Sequence, residues 1–327
     1  MRKPYDSRTR VWARKTGLAV AVAAVTLGLF TPGAAQAATE PALETPIATI
    51  DAAIHCPQTF AHPEHEPVLL IHGTALTYAS SWERGYAPAL RSQGYDVCGI
   101  DLPERSMGDI QSASEYVVRA VDKIYAATGR KVDIIGHSQG TLEPRWALKY
   151  WPHLQSRVDD MIGLSGPDHG VDAGDLFCVF PCQASLSQMR HDSDFLNALN
   201  TGDETPGPVS YTTINSRTDE LILSWTTARL AGAKNITIQD VCPGRVVGHV
   251  SMLFDGAAFR VVTDALSHSG PADPDRLPLG KCLDALAPTV GPLDAASLTV
   301  GTVVDGVHAL QYAWGTQEPA LKPYAVQ

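Results

Sequence analysis

The chain has 327 residues, of which 44% are hydrophobic and 18% are charged, and its formal net charge at pH 7 is −10. This length and apolar content are enough for a globular fold with a large core, and they exclude a disordered protein. The acidic balance argues against nucleic acid as a partner, because phosphate backbones are bound by clustered Lys and Arg side chains.

Residues 1–37 have the pattern of a secretory signal peptide. A basic start is followed by an apolar stretch over residues 17–30, and Ala35-Gln36-Ala37 is a small-X-small cleavage site. The apolar stretch is shorter than the roughly 20 residues that a membrane-spanning helix needs, so we expect no transmembrane anchor in the mature protein. We predict a secreted, extracellular protein of net charge −15, since the removed segment carries +5.

Six cysteines follow this segment, as an oxidising compartment would favour. They allow fifteen pairings, which their spacing does not resolve. The Cys178-X-X-X-Cys182 spacing would also suit half of a metal site, but no second ligand pair lies nearby in sequence. We therefore predict disulfides and no metal at these positions: Cys56, Cys98, Cys178, Cys182, Cys242 and Cys282.

Neither a repeat nor a low-complexity linker divides residues 38–327, which predicts a single domain. Residues 38–66 are polar and rich in proline, as in an extended surface arm. The continuous apolar run at 67–72 is typical of a parallel strand buried on both faces, and it ends at His72-Gly73-Thr74. A short helix over 82–92 and a strand over 94–101 are expected next.

Strands and helices continue to alternate along the rest of the chain. Ser112-Ala-Ser-Glu115 is a capping box that predicts a helix start, and Gly129 marks the end of that helix. Further strands are predicted at 158–164, 209–214 and 235–241, and an amphipathic helical segment at 293–312. The fold class predicted is α/β, with a doubly wound, mostly parallel sheet flanked by helices and catalytic groups at the carboxyl ends of its strands.

The centre of this pattern is residues 132–140, Val-Asp-Ile-Ile-Gly-His-Ser-Gln-Gly. An apolar strand that runs into Gly-X-Ser-X-Gly and then a helix over 141–150 predicts a nucleophile elbow with Ser138 exposed at its tip. The alternative is an ordinary strand-to-helix turn with an idle serine. That alternative leaves the His72-Gly73 turn unexplained.

Ser138 needs a histidine to take its proton and an acid to orient that histidine. In this fold the order along the chain is Ser, acid, His, and His249 follows the last predicted strand, whereas His268 and His308 lie in a polar turn and a helical segment. Both Asp168 and Asp219 follow strands between Ser138 and His249. We favour Asp219, because it lies beside the strand that leads to His249.

A tetrahedral oxyanion needs hydrogen-bond donors that are already in place. The backbone N–H groups of Gln139 and Thr74 are expected to provide them, with the Thr74 hydroxyl as a third donor.

Five motifs occur in a fixed order along the chain: residues 67–74, Ser138-Gln-Gly140, Thr218-Asp-Glu220, Val241-Cys-X-Gly244 and His249. They resemble the motifs of lipases of the Candida antarctica lipase B type, an α/β-hydrolase group, and the resemblance covers about residues 54–282. The resemblance implies a triad of Ser138, Asp219 and His249, an oxyanion hole of Thr74 and Gln139, and an active-site aspartate, Asp168, that borders the substrate. It also implies Cys56–Cys98 and Cys242–Cys282 bridges, which leaves Cys178–Cys182 by elimination.

One position departs from that family. His137 stands where the yeast enzyme has Trp, at the border of the alcohol-side pocket, and we interpret it as structural. Stereopreference toward secondary alcohols therefore does not carry over.

The function predicted is a secreted carboxylic ester hydrolase that cleaves triacylglycerols or simpler acyl esters through an acyl-enzyme without a cofactor. Its expected partner is an acyl ester or a lipid, including lipid at a lipid–water interface. A second reading keeps the triad in an acyltransferase or a polyester hydrolase. A third, a noncatalytic secreted binding protein, is disfavoured because every triad and oxyanion position holds a competent residue type.

Overall fold

Seven strands of the described residues form one sheet in the computed structural model of the protein. Their order is β1-β3-β2-β4-β5-β6-β7, and only β1 runs antiparallel to its neighbour. The predicted doubly wound, mostly parallel sheet is confirmed. The strands are β1 (Ile54–His55), β2 (Val68–Ile71), β3 (Val97–Ile100), β4 (Val132–His137), β5 (Val158–Leu164), β6 (Ser210–Asn215) and β7 (Lys234–Thr237).

The structure describes residues 40–172, 178, 181–312, 314–315 and 317–326. The predicted signal peptide at 1–37 lies outside these residues. No helix among the described residues has both the length and the apolar character needed to cross a membrane.

Helices cover both faces of the sheet. Their α-helical members are α1 (Ile47–Ala52), α2 (Tyr78–Trp82), α3 (Tyr86–Ser92), α4 (Ile110–Thr128), α5 (Leu142–Tyr150), α6 (Ala184–Gln188), α7 (Asp194–Asn200), α8 (Ile238–Val241), α9 (Gly256–Leu266) and α10 (Pro292–Ala309). Short 3-10 turns lie at Pro103–Ser106, Ser138–Thr141, Pro152–Ser156, Trp225–Ala228, Ser251–Leu253, Pro274–Arg276 and Pro323–Ala325.

Two apolar cores lie on opposite faces of the sheet, because each central strand is buried on both faces. Helices α1, α4 and α5 contribute to one core, where Trp146 is fully buried. Helices α2, α3 and α9 contribute to the other, which contains Trp82 and Phe259. This packing fixes the carboxyl ends of the strands, where the candidate site lies.

The expectation of an extended arm over residues 38–66 is wrong. This segment contains α1 and β1, and Ile50 is fully buried against the first core. The backbone N–H groups of Glu44 and Thr45 donate to the Glu115 carboxylate at 3.0 and 2.7 Å. The backbone of this segment therefore has hydrogen-bond partners on α4. Such long-range partners cannot be inferred from the amino-acid composition of the segment alone.

The predicted capping box at Ser112 is also wrong. Helix α4 begins at Ile110, and the side chain of Asp109 accepts a hydrogen bond from the Gln111 N–H at 3.0 Å. Aspartate is as good an N-cap as serine, and here it comes three residues earlier. The predicted end of this helix at Gly129 is confirmed, with Gly129 in the left-handed region at φ +67°.

Two other boundaries differ from expectation. The predicted helix at 82–92 is a pair of helices, α2 and α3, with Gly85 between them as the N-cap of α3. The predicted strand at 235–241 ends at Thr237, and the chain then turns into α8. The N–H of Cys242 donates to the Ile238 carbonyl at 2.7 Å, which closes that turn.

All six cysteines are paired in the structure. The bridges are Cys56–Cys98, Cys178–Cys182 and Cys242–Cys282, as the resemblance implied. Cys98 lies on β3, the second strand in the sheet order, so the first bridge ties the end of the edge strand β1 to its neighbour.

Candidate active site

Ser138 lies at the turn between β4 and the following helix, at the carboxyl end of the sheet. Its φ is +55°, a left-handed conformation that costs a non-glycine residue roughly 1–3 kcal/mol and persists only where surrounding structure enforces it. A 3-10 turn over Ser138–Thr141 leads directly into α5. This strand, strained turn and helix have the geometry of a nucleophile elbow.

Two glycines make this turn sterically possible. A Cβ on Gly136 would lie 2.1 Å from the carbonyl oxygen of Gly140, and a Cβ on Gly140 would lie 2.6 Å from the carbonyl oxygens of Ile71 and His72. Real Cβ atoms do not approach backbone atoms this closely, so both sites require glycine. The fixed glycines of the Gly-X-Ser-X-Gly pattern therefore have a packing reason in this chain.

His249 and Asp219 form a buried pair at the same end of the sheet. The Nδ1 atom of His249 lies 2.9 Å from Oδ2 and 3.1 Å from Oδ1 of Asp219. The Glu220 carboxylate holds the loop that carries His249, because its Oε2 accepts a hydrogen bond from the His249 N–H at 2.8 Å. Glu220 was not singled out as a site residue from the sequence, although it neighbours Asp219.

Asp219 is stabilised as an anion. Burial raises the pKa of its carboxyl, but the hydrogen bond and charge of His249 and the backbone N–H groups of Ile222 and Leu221 outweigh burial and lower it to about 2. Those two N–H groups donate to Asp219 Oδ1 at 2.8 and 2.9 Å. At neutral pH Asp219 is therefore an ionised acceptor for the Nδ1–H of His249.

Thr74 and Gln139 meet beside Ser138. The Thr74 hydroxyl donates to Gln139 Oε1 at 2.6 Å, and Gly73 packs against Ser138. Buried His72 fixes the turn that carries Thr74: its Nδ1–H donates to the Gly73 carbonyl at 2.9 Å, and its Nε2 accepts from the Leu102 N–H at 2.9 Å. His72 therefore cross-links the loop after β2 to the loop after β3, which explains why a histidine precedes Gly73.

His137 lies beside the His249 loop. Its Nε2–H donates to the His249 carbonyl at 3.0 Å, and its ring centroid is 4.8 Å from that of His249. Burial, and then the charge of His249, lower the pKa of His137 to about 3. His137 is therefore a neutral imidazole that holds the loop.

Asp168 lies in a buried polar cluster with Arg145 and Thr141. Its carboxylate lies 3.2 Å from the Arg145 guanidinium and 3.2 Å from the Thr141 hydroxyl, and all three side chains are buried. Arg145 in turn donates to Asn200 at 2.7 Å, which ties α5 to α7. Asp168 does not line the cavity described next. Its expected place beside the substrate therefore stays a prediction. The long Arg145 side chain reaches Asp168 from α5.

An apolar cavity of about 400 Å³ opens at Ser138. Ser138, His249, Thr74 and His137 share its wall, whereas His268 and His308 do not. Such a volume lies within the range of small-molecule sites. The apolar part of the wall is formed by Ala75, Leu76, Met107, Pro167, Val171, Leu186, Met189, Leu221, Ile222, Val250 and Val303.

The arrangement matches a known enzyme family. A family model described as Lipase (class 2) matches residues 65–252, which is more than half of the chain. The chain belongs to the class 2 lipases. This lipase is 29% identical over 305 residues to lipase B of Pseudozyma antarctica, with 88% of this chain and 86% of that protein covered.

Solved structures agree with this assignment. The crystal structure of Aspergillus fumigatus lipase B matches this lipase with a TM-score of 0.81 and 30% identity, over 88% of this chain and 73% of that chain. The mature form of Bacillus licheniformis lipase BlEst2 matches with a TM-score of 0.51 and 18% identity, over 61% of this chain and 92% of that chain, and shows the fold alone. The resemblance and the α/β-hydrolase fold are confirmed. This lipase is a carboxylic ester hydrolase with an ester or lipid substrate.

Proposed function

We propose that this lipase is a secreted serine hydrolase that cleaves acyl esters such as triacylglycerols through an acyl-enzyme on Ser138. The observation that carries the proposal is the shared cavity wall of Ser138 and His249, with Asp219 paired to the far nitrogen of the imidazole. No metal or organic cofactor takes part in this chemistry.

In the proposed first step, the Nε2 atom of His249 takes the Ser138 proton as the hydroxyl oxygen attacks the ester carbonyl. Asp219 keeps the proton on Nδ1 and stabilises the imidazolium that forms. The backbone N–H groups of Gln139 and Thr74 bind the oxyanion. His249 then protonates the departing alcohol, and water repeats the sequence to release the acid.

The cavity supports an apolar acyl chain as the group transferred to Ser138. Its wall is mostly aliphatic and thioether side chains, which gain from burying methylenes at about 0.8 kcal/mol each. Val303 and Thr302 of α10 and Leu221 of the Asp219 loop extend that wall. Chain-length preference would therefore follow from how far the apolar wall reaches beyond Ser138.

Secretion is supported by the signal pattern at residues 1–37 and by three disulfides, which form in oxidising compartments. Expression of the full chain in a secreting host tests this part. We expect extracellular protein whose first residue is Ala38.

The catalytic proposal is tested by rapid mixing with a p-nitrophenyl ester and by assays on emulsified triglyceride, with products identified. We expect a burst of p-nitrophenol equal to the enzyme concentration when deacylation is slower, free fatty acid as product, and an acyl group on the Ser138 peptide after acid quench. An acyl adduct on another residue, or hydrolysis that leaves no trapped adduct under conditions where acylation is fast, would contradict it.

A further inference from the structure

A chain of hydrogen bonds runs from the candidate oxyanion site into the protein. The Thr74 hydroxyl donates to Gln139 Oε1 at 2.6 Å, and Gln139 Nε2 donates to Glu143 Oε1 at 2.8 Å. Gln139 and Glu143 lie four residues apart, one turn of helix, and both are fully buried. The mechanism above uses only the backbone of Gln139 and does not use Glu143 at all.

Glu143 is an unusual residue for this position, because an ionised carboxylate is costly to bury without a cationic partner. Its second oxygen, Oε2, has no hydrogen-bond partner among the described residues. Burial raises the pKa of the Glu143 carboxyl to about 8, while the hydrogen bond from Gln139 and its own backbone lower it. No charged side chain of the described residues contributes to that shift. At pH 7 Glu143 is mostly an uncharged acid, which can donate a hydrogen bond as well as accept one.

The orientation seen in the structure ties up the Thr74 hydroxyl. A hydroxyl has one proton, and that of Thr74 points at Gln139 Oε1 and not at the cavity. Rotation of the Gln139 amide by 180° exchanges its oxygen and nitrogen. Gln139 Nε2 would then donate to the Thr74 oxygen, and Gln139 Oε1 would need a donor, which the acid form of Glu143 can supply.

We propose that Glu143, Gln139 and Thr74 form a reversible hydrogen-bond relay that turns the Thr74 hydroxyl toward the oxyanion. In the turned state Glu143 donates to Gln139, Gln139 donates to Thr74, and Thr74 donates to the developing negative charge. Both states hold two internal hydrogen bonds, with donors and acceptors exchanged, so the turn leaves neither the oxygen nor the nitrogen of the Gln139 amide unpaired. Glu143 and the Gln139 side chain are positioning residues, and Thr74 is the donor that touches the reacting atoms. This inference rests on the proposed function.

The test compares Glu143→Gln and Glu143→Met with wild type. Glutamine can donate to Gln139 at any pH, whereas methionine has a similar size and cannot donate at all. Loss of one oxyanion donor costs roughly 10²–10³ in kcat, so we expect Glu143→Met to lose on the order of tenfold to a hundredfold in kcat, with KM changed by less than about twofold. We expect Glu143→Gln to retain kcat within about threefold.

The pH profile of kcat is a readout that a purely structural role would not move. Above pH 8 wild-type Glu143 loses the proton that the turned state needs, and its negative charge opposes the oxyanion, so kcat should decline. Glu143→Gln should show no such decline. A Thr74→Val background supplies the remaining control, because Glu143→Met should add less than about twofold once the Thr74 hydroxyl is absent.

Wild-type kcat in Glu143→Met, equal effects of Glu143→Met with and without the Thr74 hydroxyl, or superimposable alkaline profiles for wild type and Glu143→Gln would each overturn the relay. If Glu143→Met does not fold, the comparison of the two pH profiles decides alone. Each protein is also titrated with a fluorophosphonate. Failure of wild type to react at Ser138 would count against the proposed function, whereas normal labelling with unchanged kinetics in the variants would count against the relay only.

Discussion

The Asp219 carboxylate lies 2.9 Å from Nδ1 of His249, and two backbone N–H groups donate to the same carboxylate. The Asp219 carboxylate, which these N–H groups fix in place, therefore holds the His249 imidazole at Nδ1 and leaves Nε2 for Ser138. Asp168, the other candidate acid from the sequence, is engaged with Arg145 instead. These two buried aspartates have distinct partners, and substitutions at them should have distinct consequences.

Asp219→Asn should lower kcat by roughly 10⁴, because an amide at this position favours the wrong tautomer of His249. The expected change in thermal stability is small, since asparagine keeps an acceptor for the Leu221 and Ile222 N–H groups. Steady-state kinetics on a soluble ester, together with a melting curve, measure both. A folded Asp219→Asn enzyme with more than a tenth of wild-type kcat would remove Asp219 from the role of triad acid.

Asp168→Asn should show the opposite pattern. It leaves the buried Arg145 charge without its anion. Loss of a buried charge partner lowers the free energy of unfolding by about 3–5 kcal/mol when nothing replaces it. The cost is smaller here if the asparagine amide keeps a hydrogen bond to Arg145. We expect a lower Tm and kcat within about tenfold of wild type, since Asp168 does not line the cavity. The same two assays, run beside Asp219→Asn, provide the matched comparison. Greater damage to kcat in Asp168→Asn than in Asp219→Asn would transfer the acid role to Asp168.

The mature protein should contain no free thiol. The Cys56–Cys98 and Cys242–Cys282 bridges close segments of 42 and 40 residues, and each should contribute about 4 kcal/mol in the chain-entropy estimate, which is model-dependent. Thiol titration in denaturant without reductant tests the count, and peptide mapping tests the pairing. Replacement of both Cys242 and Cys282 by serine should lower the urea midpoint, and two or more titratable thiols in the unreduced protein would show the pairing to be incomplete.

Stability should decline with rising pH because of acids buried at the other end of the sheet. Burial, and then the neighbouring Asp133 and Asp159, raise the pKa of Asp160 to about 9, while Lys131 opposes them. An aspartate in the unfolded chain loses its proton near 3.8, so between these values the native state binds more protons than the unfolded state. The free energy of unfolding then falls as pH rises, by about 1.4 kcal/mol per pH unit for each such proton.

Asp160→Asn removes this titration and should reduce the slope between pH 5 and pH 8.5 by about 1.4 kcal/mol per pH unit. Asp133, whose pKa burial also raises, keeps its own contribution in the variant. Urea unfolding of wild type and variant at several pH values measures it, with Lys131 and Asp159 unchanged in both proteins. Parallel pH dependences for the two proteins would show that Asp160 is ionised in the native state.

The sequence was most informative where a pattern is fixed by backbone geometry. The strand at 158–164 and the Gly-X-Ser-X-Gly turn follow from apolar runs and steric limits at Gly136 and Gly140, and both appear where expected. Long-range polar partners were not foreseeable. Asp168 pairs with Arg145, a contact that no local pattern contains.

Glu143 was likewise missed from the sequence. A glutamate in the first turn of a helix is ordinary, because it complements the helix dipole there. Only the tertiary packing reveals that Glu143 is fully buried and receives the Gln139 amide. Its position one helical turn after a residue of the nucleophile elbow is the signal that could have drawn attention to it.

The central claim, that Ser138 is the nucleophile, is tested most directly by the turnover of Ser138→Ala on a soluble ester, with expression-host esterases removed. Loss of a serine nucleophile costs roughly 10⁴–10⁶ in kcat in other hydrolases, and alanine removes only a hydroxyl at the tip of a turn, so the variant should melt close to wild type. We expect hydrolysis to fall by at least about 10⁴ and fluorophosphonate labelling to disappear. A folded Ser138→Ala protein that keeps more than a tenth of the wild-type rate would contradict the account.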